Sequence, residues 1–574
     1  MDNVTKKKDI SIVLGGSAGQ GLQTVEKIIA MFFQQEGIHV FSTSEYMSRV
    51  RGGSNSVEMR IGEIPRKAFV KKIDIAFLLD EASFERLAYR FDEETIIIVD
   101  PLFVKEKIKA EKNIFFIPLE ETADLVGGKV FMNTIVAGMI LAIFNIDNKK
   151  FLSYLKNIFA KKGEDIVEKN ILAATKGRIL GEKVRSELEE TTFSFEKKNE
   201  KKNTMFLNGS EGIALGSLAG GCNFISSYPM SPATAVLTLM AEYSQKIPLA
   251  VEQVEDEITA INMALGAWFG GARALVTTSG GGFALMAESM SLSGMTESPV
   301  VIHLAQRPGP ATGLPTRTEQ GDLDFALHTG HGTFPRAILT PGTPEECFVC
   351  GKKAFDLADK YQIPVIVMTD TFLLDSRYES NAEIFSFEQK PQKYFIETES
   401  SYKRYAFTSD GLSPRGIPGF GDGFVHVDSD EHDEDGRIIE DEEMRNRMME
   451  KRMYRLELLK KDVLDPVYKG SNHDAFLVIG WGSTYGVISE ALESLQNNHI
   501  GYLHVNQVYP LGEEIQRRIL SAEKIIIIEN NMTGQFADIL FKEVERKPDH
   551  LIVKYDGSPY SVEELRRYLE DIVN

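Results

Sequence analysis

Apolar runs of strand length alternate with helix-spaced polar segments along most of this 574-residue chain. ISIVLGG (10–16) precedes a helix-like stretch near 21–36, then IHVFSTSEY, IDIAFLLD, TIIIVDP and IFFIPL follow. That alternation predicts a parallel α/β unit reaching about residue 180. FISSYPMSP, ARALVTTSG, PVVIHLA and PVIVMTD predict a second α/β unit over 204–380. DAFLVIGWGS, GYLHVNQVYP and KIIIIENN predict a third over 471–574. Residues 186–203 are charged and unpatterned, which reads as a linker after a first domain of 1–185. Residues 381–470 are predicted as an irregular connector, with an acidic run at Asp428–Asp435 and a helix-like stretch at 440–463. The fold class is therefore α/β, with several parallel-sheet domains.

Length supports roughly three to four domains. A net charge of −20 argues against a nucleic-acid binder, which carries a basic patch. The first ten residues lack a signal-peptide apolar run, and no stretch has the length of a membrane span, so a cytoplasmic protein is expected. Three cysteines build no disulfide framework, and the lone CxxC of Cys347 and Cys350 cannot make a four-thiolate metal site within the chain. All three are expected to be structural.

The densest chemical signal is VEQVEDEITAINMALGAWFGGARALVTTSGGG, residues 251–282. It predicts a strand end, an acidic cluster, a helix rich in small residues, a second strand and a glycine turn. Ligands of α/β sheets bind at the carboxyl ends of strands, where this acid cluster falls. Glu257 lies nine residues before Gly266, a spacing that resembles the pyrimidine-binding half of thiamine diphosphate enzymes; Glu255 does not have that spacing. In such enzymes a carboxyl on the aminopyrimidine favours the tautomer that activates the cofactor. A helix start stabilised by an acid would explain one of Glu255, Asp256 and Glu257 without any catalysis. The small residues Ala260, Ala264, Gly266 and Ala267 imply close packing on the helix backbone.

Other segments suit anions. Gly15-Gly16-Ser17-Ala18-Gly19-Gln20-Gly21 joins a strand to a helix, where a glycine turn exposes amides to a phosphate. The order is GGxxGxG, so a dinucleotide site is weakly supported, and a tight turn without ligand explains it as well. Glu45–Asn55 places Arg49 and Arg51 beside paired glycines, which suits phosphate or carboxylate. Ser231 before Pro232 fits a helix N-cap with proline at the first helical position. The loop RPGPATGLPTRTEQGD (307–322) follows the strand VVIHLA and builds a site: Arg307 or Arg317 for a carboxylate, with Thr312, Thr316 and Thr318 as hydroxyl donors. His328 and His331, with no nearby Cys or third His, read as structural or as supports behind a site rather than as metal ligands. Gly421-Asp422-Gly423 with Asn446 imitates a magnesium–diphosphate motif, but SPRGIPGF ahead of it is predicted as loop, so no metal residue is assigned.

Taken together, YPMSPAT, EDEITAINMALGAWFGG, TTSGGGFALMAE, QRPGPATGLPTRTEQGD and IIIIENNMTGQ resemble the α subunit of 2-oxoacid:ferredoxin oxidoreductases. GGSAGQG and RVRGGSNS resemble that family's γ subunit, so the chain looks like a fused γ–α subunit over nearly its whole length. The resemblance implies a thiamine diphosphate pyrimidine-binding domain at 204–380 and a transketolase C-terminal-like domain at 471–574. It implies oxidative decarboxylation of a 2-oxoacid to acyl-coenzyme A and CO2, with electrons passing to ferredoxin. A β partner would supply Mg2+, the diphosphate site and an iron–sulfur cluster, in a dimer of αβ heterodimers. By motif position Glu257 carries over as activator, and Ser231, Arg307 and Thr316 as substrate-facing residues. Gly15, Gly16, Gly19, Gly21 and Arg51 fall on the coenzyme A side. Many members have Thr where this chain has Ser231, which keeps the hydroxyl and drops a methyl. The fused layout is commonest among 2-oxoglutarate enzymes; pyruvate and branched-chain 2-oxoacids are the alternatives. A thiamine-dependent synthase or decarboxylase without electron transfer would need its own diphosphate motif. A non-catalytic scaffold of this fold would be expected to lose Glu257 or Arg307.

Overall fold

The computed structural model describes residues 5–17, 20–47, 53–102, 113–188, 191–193, 195, 203–388, 390–471, 474–497 and 499–573. The chain forms two compact units, one of residues 1–206 with 376–381, the other of 207–375 with 382–574.

In the first unit an eight-stranded sheet runs in the order Ile114–Phe116, Ile96–Val99, Ile75–Leu78, Asp9–Ser17, Ser54–Gly62, His39–Glu45, Arg377–Asn381, Thr204–Asn208. The first four strands are parallel, as the apolar runs predict. Ser54–Gly62 pairs antiparallel with both of its neighbours, so the sheet is mixed and corrects the all-parallel expectation. Its signal was present in the alternation of Val57, Met59 and Ile61. Charges on the opposite face disguised it: Arg60 bonds Asp9 at 2.5 Å, and Arg90 reaches Glu58 through two bonds of 2.6 and 2.7 Å. Helix Glu164–Glu187 runs past the expected domain end into the predicted linker.

The second unit contains a seven-stranded, a five-stranded and a two-stranded sheet. A seven-stranded sheet runs Ala250–Gln253, Phe224–Ser227, Ala274–Thr278, Val300–Gln306, Pro364–Asp370, Ala337–Leu339, Gln507–Tyr509. Only its last strand is antiparallel, and that strand arrives from the C-terminal segment. Val300–Gln306 and Pro364–Asp370 are buried at every residue, as central strands covered on both faces must be. The five-stranded sheet runs Val467–Lys469, Ile500–Val505, Phe476–Trp481, Lys524–Glu529, His550–Val553, with only the first strand antiparallel. Cys222, Cys347 and Cys350 are free and buried, and burial pushes each thiol up, in keeping with structural roles. Among the described residues no helix is long and apolar enough to cross a membrane.

The connector is more ordered than its composition predicts. Arg415–Gly421 forms a strand on Phe395–Thr398, so the residues ahead of Asp422 are strand rather than loop. That sheet has two strands only, and Asp422 is exposed, its amide bound to the Thr398 carbonyl. Helix Glu442–Leu459 is polar in sequence because its inner face serves one buried acid, Glu297. Lys451 Nζ bonds the two carboxylate oxygens of Glu297 at 3.0 and 3.1 Å, and Arg455 pairs with the same group. Burial alone raises this carboxyl, but Arg455, Lys451 and Arg404 outweigh it and hold the group far below the usual carboxylate range. Glu297→Gln keeps the shape and leaves the cations buried without countercharge. It is expected to cost about 3–5 kcal/mol in urea unfolding. Because the folded value is depressed, the contribution is complete above the unfolded carboxylate value of about 4.3 and is lost as pH falls below it.

Candidate active site

The helix Glu257–Phe269 sorts the three acids by role. Asp256 is its N-cap, accepting from the Thr259 amide at 2.7 Å. Glu255 is exposed and accepts from the Thr259 hydroxyl at 3.1 Å. Glu257 turns inward and is 3% exposed, and its Oε1 is buried without a hydrogen-bond partner. Burial raises its carboxyl above the ordinary range, and Asp256 adds to the rise. Capping is thus fully explained by Asp256, which leaves Glu257 unexplained by local structure. A buried orphan acceptor costs about 1–3 kcal/mol, which is a sign of a missing ligand atom.

Strand Ala274–Thr278 delivers a glycine turn over that acid. Residues 280–285 form a short helix with Ser279 as N-cap. A side chain on Gly282 would overlap the Glu257 carboxylate and Thr278 Oγ1, so glycine is what gives the acid its room. Ser279 Oγ is likewise buried and unpartnered. Asp322, passed over in the sequence, packs on Gly280 with its Oδ2 buried and unpartnered. Burial raises its carboxyl to about 6, with Arg307 pulling the other way. The signal available was its place at the end of the loop 307–322, beside Gly321.

Arg307 and Ser231 are brought together. Arg307 Nη1 donates to the Ser231 carbonyl at 2.6 Å. Ser231 is not the expected N-cap: Ser231–Ala233 form a turn and the helix starts at Thr234. The Thr234 amide bonds the Met230 carbonyl at 3.2 Å, so the serine hydroxyl has no capping task and its side chain is exposed. Thr316 is half-buried in the loop, which folds back where the Leu314 amide meets the Pro308 carbonyl at 3.0 Å. Arg317 packs against Gly557.

The C-terminal sheet holds this loop in place. Gln320 donates its amide to Asn530 O at 2.7 Å and its Nε2 to Trp481 O at 2.9 Å, and accepts from the Asn530 amide at 3.1 Å. Gln535 reaches the Gly321 carbonyl at 2.9 Å, and the Thr318 amide bonds Gly557 O at 3.1 Å. Through Asn530 and Gln535 the IIIIENNMTGQ segment thus fixes the C-terminal end of the loop 307–322. Gln320→Ala leaves the buried Asn530 amide without its partner and takes from the Trp481 carbonyl one of two, the Thr484 hydroxyl remaining at 2.8 Å; each lost bond is worth about 0.5–1.5 kcal/mol. It is expected to lower the unfolding free energy measured in urea by about 1–3 kcal/mol.

Gly266, expected to meet a close neighbour, is exposed, with no atom within 4 Å of where a Cβ would stand. Ile258 and Met263 are 50% and 37% exposed on the same helix. His328 Nδ1 lies 2.9 Å from Asp324 O and the His331 amide donates to Ser291, so both residues have structural partners. In the first unit Gly15 and Gly16 are not turn residues. They end the strand Asp9–Ser17, opposite Ser56 and Asn55, and side chains there would overlap Ser83 and Gln20. Gly21 is the N-cap of helix Leu22–Gln35, with φ of 74°. Gly19 and Arg51 lie outside the described residues. Among the described residues no group of three or more His, Cys, Asp or Glu side chains could hold a metal ion.

A mostly parallel sheet that buries an unpartnered acid beyond a strand end, over a glycine turn, is an α/β binding site open to a ligand with a hydrogen-bonding ring. The comparisons agree. Residues 215–451 match the family model for the thiamine-diphosphate-binding domain of pyruvate flavodoxin/ferredoxin oxidoreductase, and residues 11–179 match pyruvate ferredoxin/flavodoxin oxidoreductase. The 2-oxoacid:ferredoxin oxidoreductase subunit alpha of Saccharolobus solfataricus is 31% identical over 632 residues, covering 98% of each chain. The 2-oxoglutarate synthase subunit KorA of Methanocaldococcus jannaschii is 33% identical over 63% of this chain and 98% of its own. The structure of 2-oxoglutarate:ferredoxin oxidoreductase from Magnetococcus marinus, with 2-oxoglutarate, coenzyme A and succinyl-CoA bound, superposes with a TM-score of 0.90 at 27% identity, over 99% of this chain and 100% of that one. This chain belongs to the 2-oxoacid:ferredoxin oxidoreductase alpha subunits.

Proposed function

We propose that this subunit directs its complex to 2-oxoglutarate, converting 2-oxoglutarate, coenzyme A and two oxidised ferredoxins to succinyl-CoA, CO2, two reduced ferredoxins and a proton. The observation that carries the catalytic part is the buried, unpartnered Glu257 Oε1 over Gly282. Its setting fits the aminopyrimidine ring of thiamine diphosphate. That group, when bound, supplies a nucleophilic ring carbon and the electron sink for decarboxylation. Glu257 would hold the aminopyrimidine side of that group through its free Oε1, where its carboxyl could give and take back a proton; burial keeps this carboxyl easier to protonate than an exposed one. Arg307 presents a guanidinium to the substrate carboxylate, with Thr316 and Ser231 as hydroxyl neighbours. The loop around them excludes water and holds the reacting carbon in place.

A β partner completes the site. It brings Mg2+, the diphosphate cradle and the iron–sulfur cluster, and it packs on the exposed helix face at Ile258, Met263 and Gly266, in a dimer of αβ heterodimers. The three cysteines of this chain are too few for a four-thiolate cluster. The chain purified alone and treated with iron and sulfide is therefore expected to stay colourless; a cluster absorption band would contradict the division of labour. Coenzyme A is assigned to the first unit, to the segment of Gly15, Gly16, Gly19, Gly21 and Arg51. The 2-oxoglutarate choice is supported by the M. jannaschii and M. marinus relatives. It is tested by purifying the complex and assaying ferredoxin reduction with 2-oxoglutarate, pyruvate and a branched-chain 2-oxoacid, each with coenzyme A. The highest kcat/KM is expected for 2-oxoglutarate; a preference for pyruvate would move the assignment to the pyruvate enzymes.

A further inference from the structure

Two buried arginines of the second unit, each with one donor nitrogen left without a partner, line the same cavity. Arg404 is 3% exposed; its Nη2 donates to the carbonyl of Glu297 at 2.8 Å, but its Nη1 is buried without a partner. Arg415 is 4% exposed; it donates to Asp359 Oδ1 at 2.5 Å and to the Trp268 carbonyl at 2.9 Å, yet its Nε is buried without a partner. Both line a cavity of about 10 Å³, with Ser298 beside them and Trp268, Pro299 and Val427 as apolar wall. Ser298 Oγ lies 2.9 Å from Thr296 Oγ1, whose single proton also has the Leu292 carbonyl at 2.8 Å, and the Ser298 hydroxyl can turn its own proton to the cavity. No carboxylate is among the lining residues.

The surrounding charge also leans one way. Arg404, Lys451, Arg452 and Arg455 surround Glu297, and Glu431 is the second acid beside Arg452. Arg273 and Arg415 share Asp356 and Asp359. Arg445 also pairs with Glu431, so these networks set seven cations against four carboxylates, and a buried charge without a counterion is costly. A cavity of this size sits at the limit of about 10–15 Å³ that admits one water-sized occupant. Donors without acceptors select an anion over a cation and over a water, whose own protons need acceptors.

We propose that this cavity binds one small monovalent anion, chloride, held by Arg404 Nη1, Arg415 Nε and Ser298 Oγ. The anion ties the connector strand Arg415–Gly421 and the Arg404 turn to the C-terminal end of helix Glu257–Phe269, the helix that carries Glu257 at its other end. Its role is structural and does not depend on which 2-oxoacid the complex uses.

The test uses the full chain in its complex, with two readouts. Crystals grown with sodium bromide in place of chloride are expected to show an anomalous peak in this cavity. Melting temperature is expected to rise along a saturating curve as sodium gluconate is replaced by sodium chloride at fixed ionic strength, since gluconate is too large for the space. Ser298→Ala, which removes one donor without disturbing either guanidinium, is expected to shift that curve to higher chloride. A cavity filled by water with no anomalous signal, or identical melting in the two salts, overturns the proposal.

Discussion

Glu257→Gln is expected to lower turnover of the assembled complex by about 10²–10⁴-fold, the range for a lost general acid–base, while the fold and much of the thiamine diphosphate affinity remain. The amide fills the same space over Gly282 and retains a hydrogen-bonding group, so binding is preserved; what it loses is a proton that can be given and taken back. Glu255→Gln is the matched control, because Glu255 is exposed and accepts from the Thr259 hydroxyl. Asp256→Asn retains a capping oxygen and is expected to change stability by a few tenths of a kcal/mol at most. A variant series in which Glu255→Gln is inactive and Glu257→Gln is not would move the catalytic role to the neighbouring carboxylate.

Arg307→Lys is expected to raise the half-saturating 2-oxoacid concentration about 10–100-fold, which corresponds to one charge-assisted hydrogen bond of about 1.5–3 kcal/mol. Lysine keeps the positive charge but lacks the planar fork that grips a carboxylate with two parallel bonds. In the structure one arm of Arg307 is spent on the Ser231 carbonyl. That contact orients the guanidinium rather than neutralising it, so its charge remains available to an incoming carboxylate. The counterweight is Asp322, whose carboxyl is raised to about 6 and is attracted to Arg307. Arg317→Lys is expected to be nearly silent in 2-oxoacid dependence, since Arg317 packs on Gly557. The opposite pattern, with Arg317→Lys impaired and Arg307→Lys normal, would place the carboxylate at Arg317.

What was legible in the sequence was local. The spacing from Glu257 to Gly266 is set within one helix, and the strands Val300–Gln306 and Pro364–Asp370 are continuous apolar runs. The strand Ser54–Gly62 was hidden because Glu58 and Arg60 look like surface charges until their partners Arg90 and Asp9 are seen. Ser231 has the residue type and proline neighbour of an N-cap, but the Met230 carbonyl reaches the helix start first. Gln320 and Asn530 are 210 residues apart, so nothing near either one announces the clamp on the loop 307–322. The same is true of Glu297 and Lys451, where a polar helix in sequence is an ion-pairing face in the fold.

The central claim is that Glu257 acts through the cofactor rather than on the substrate. The most direct measurement is the rate of deuterium exchange at the reactive thiazolium C–H of thiamine diphosphate bound to the complex without 2-oxoacid, followed by acid quench and NMR. Exchange is predicted to be fast in the wild-type complex and slower by about 10²–10⁴-fold in Glu257→Gln, with cofactor occupancy unchanged in both. Equal exchange rates at equal occupancy would contradict the account, because the acid would then have no part in activating the cofactor.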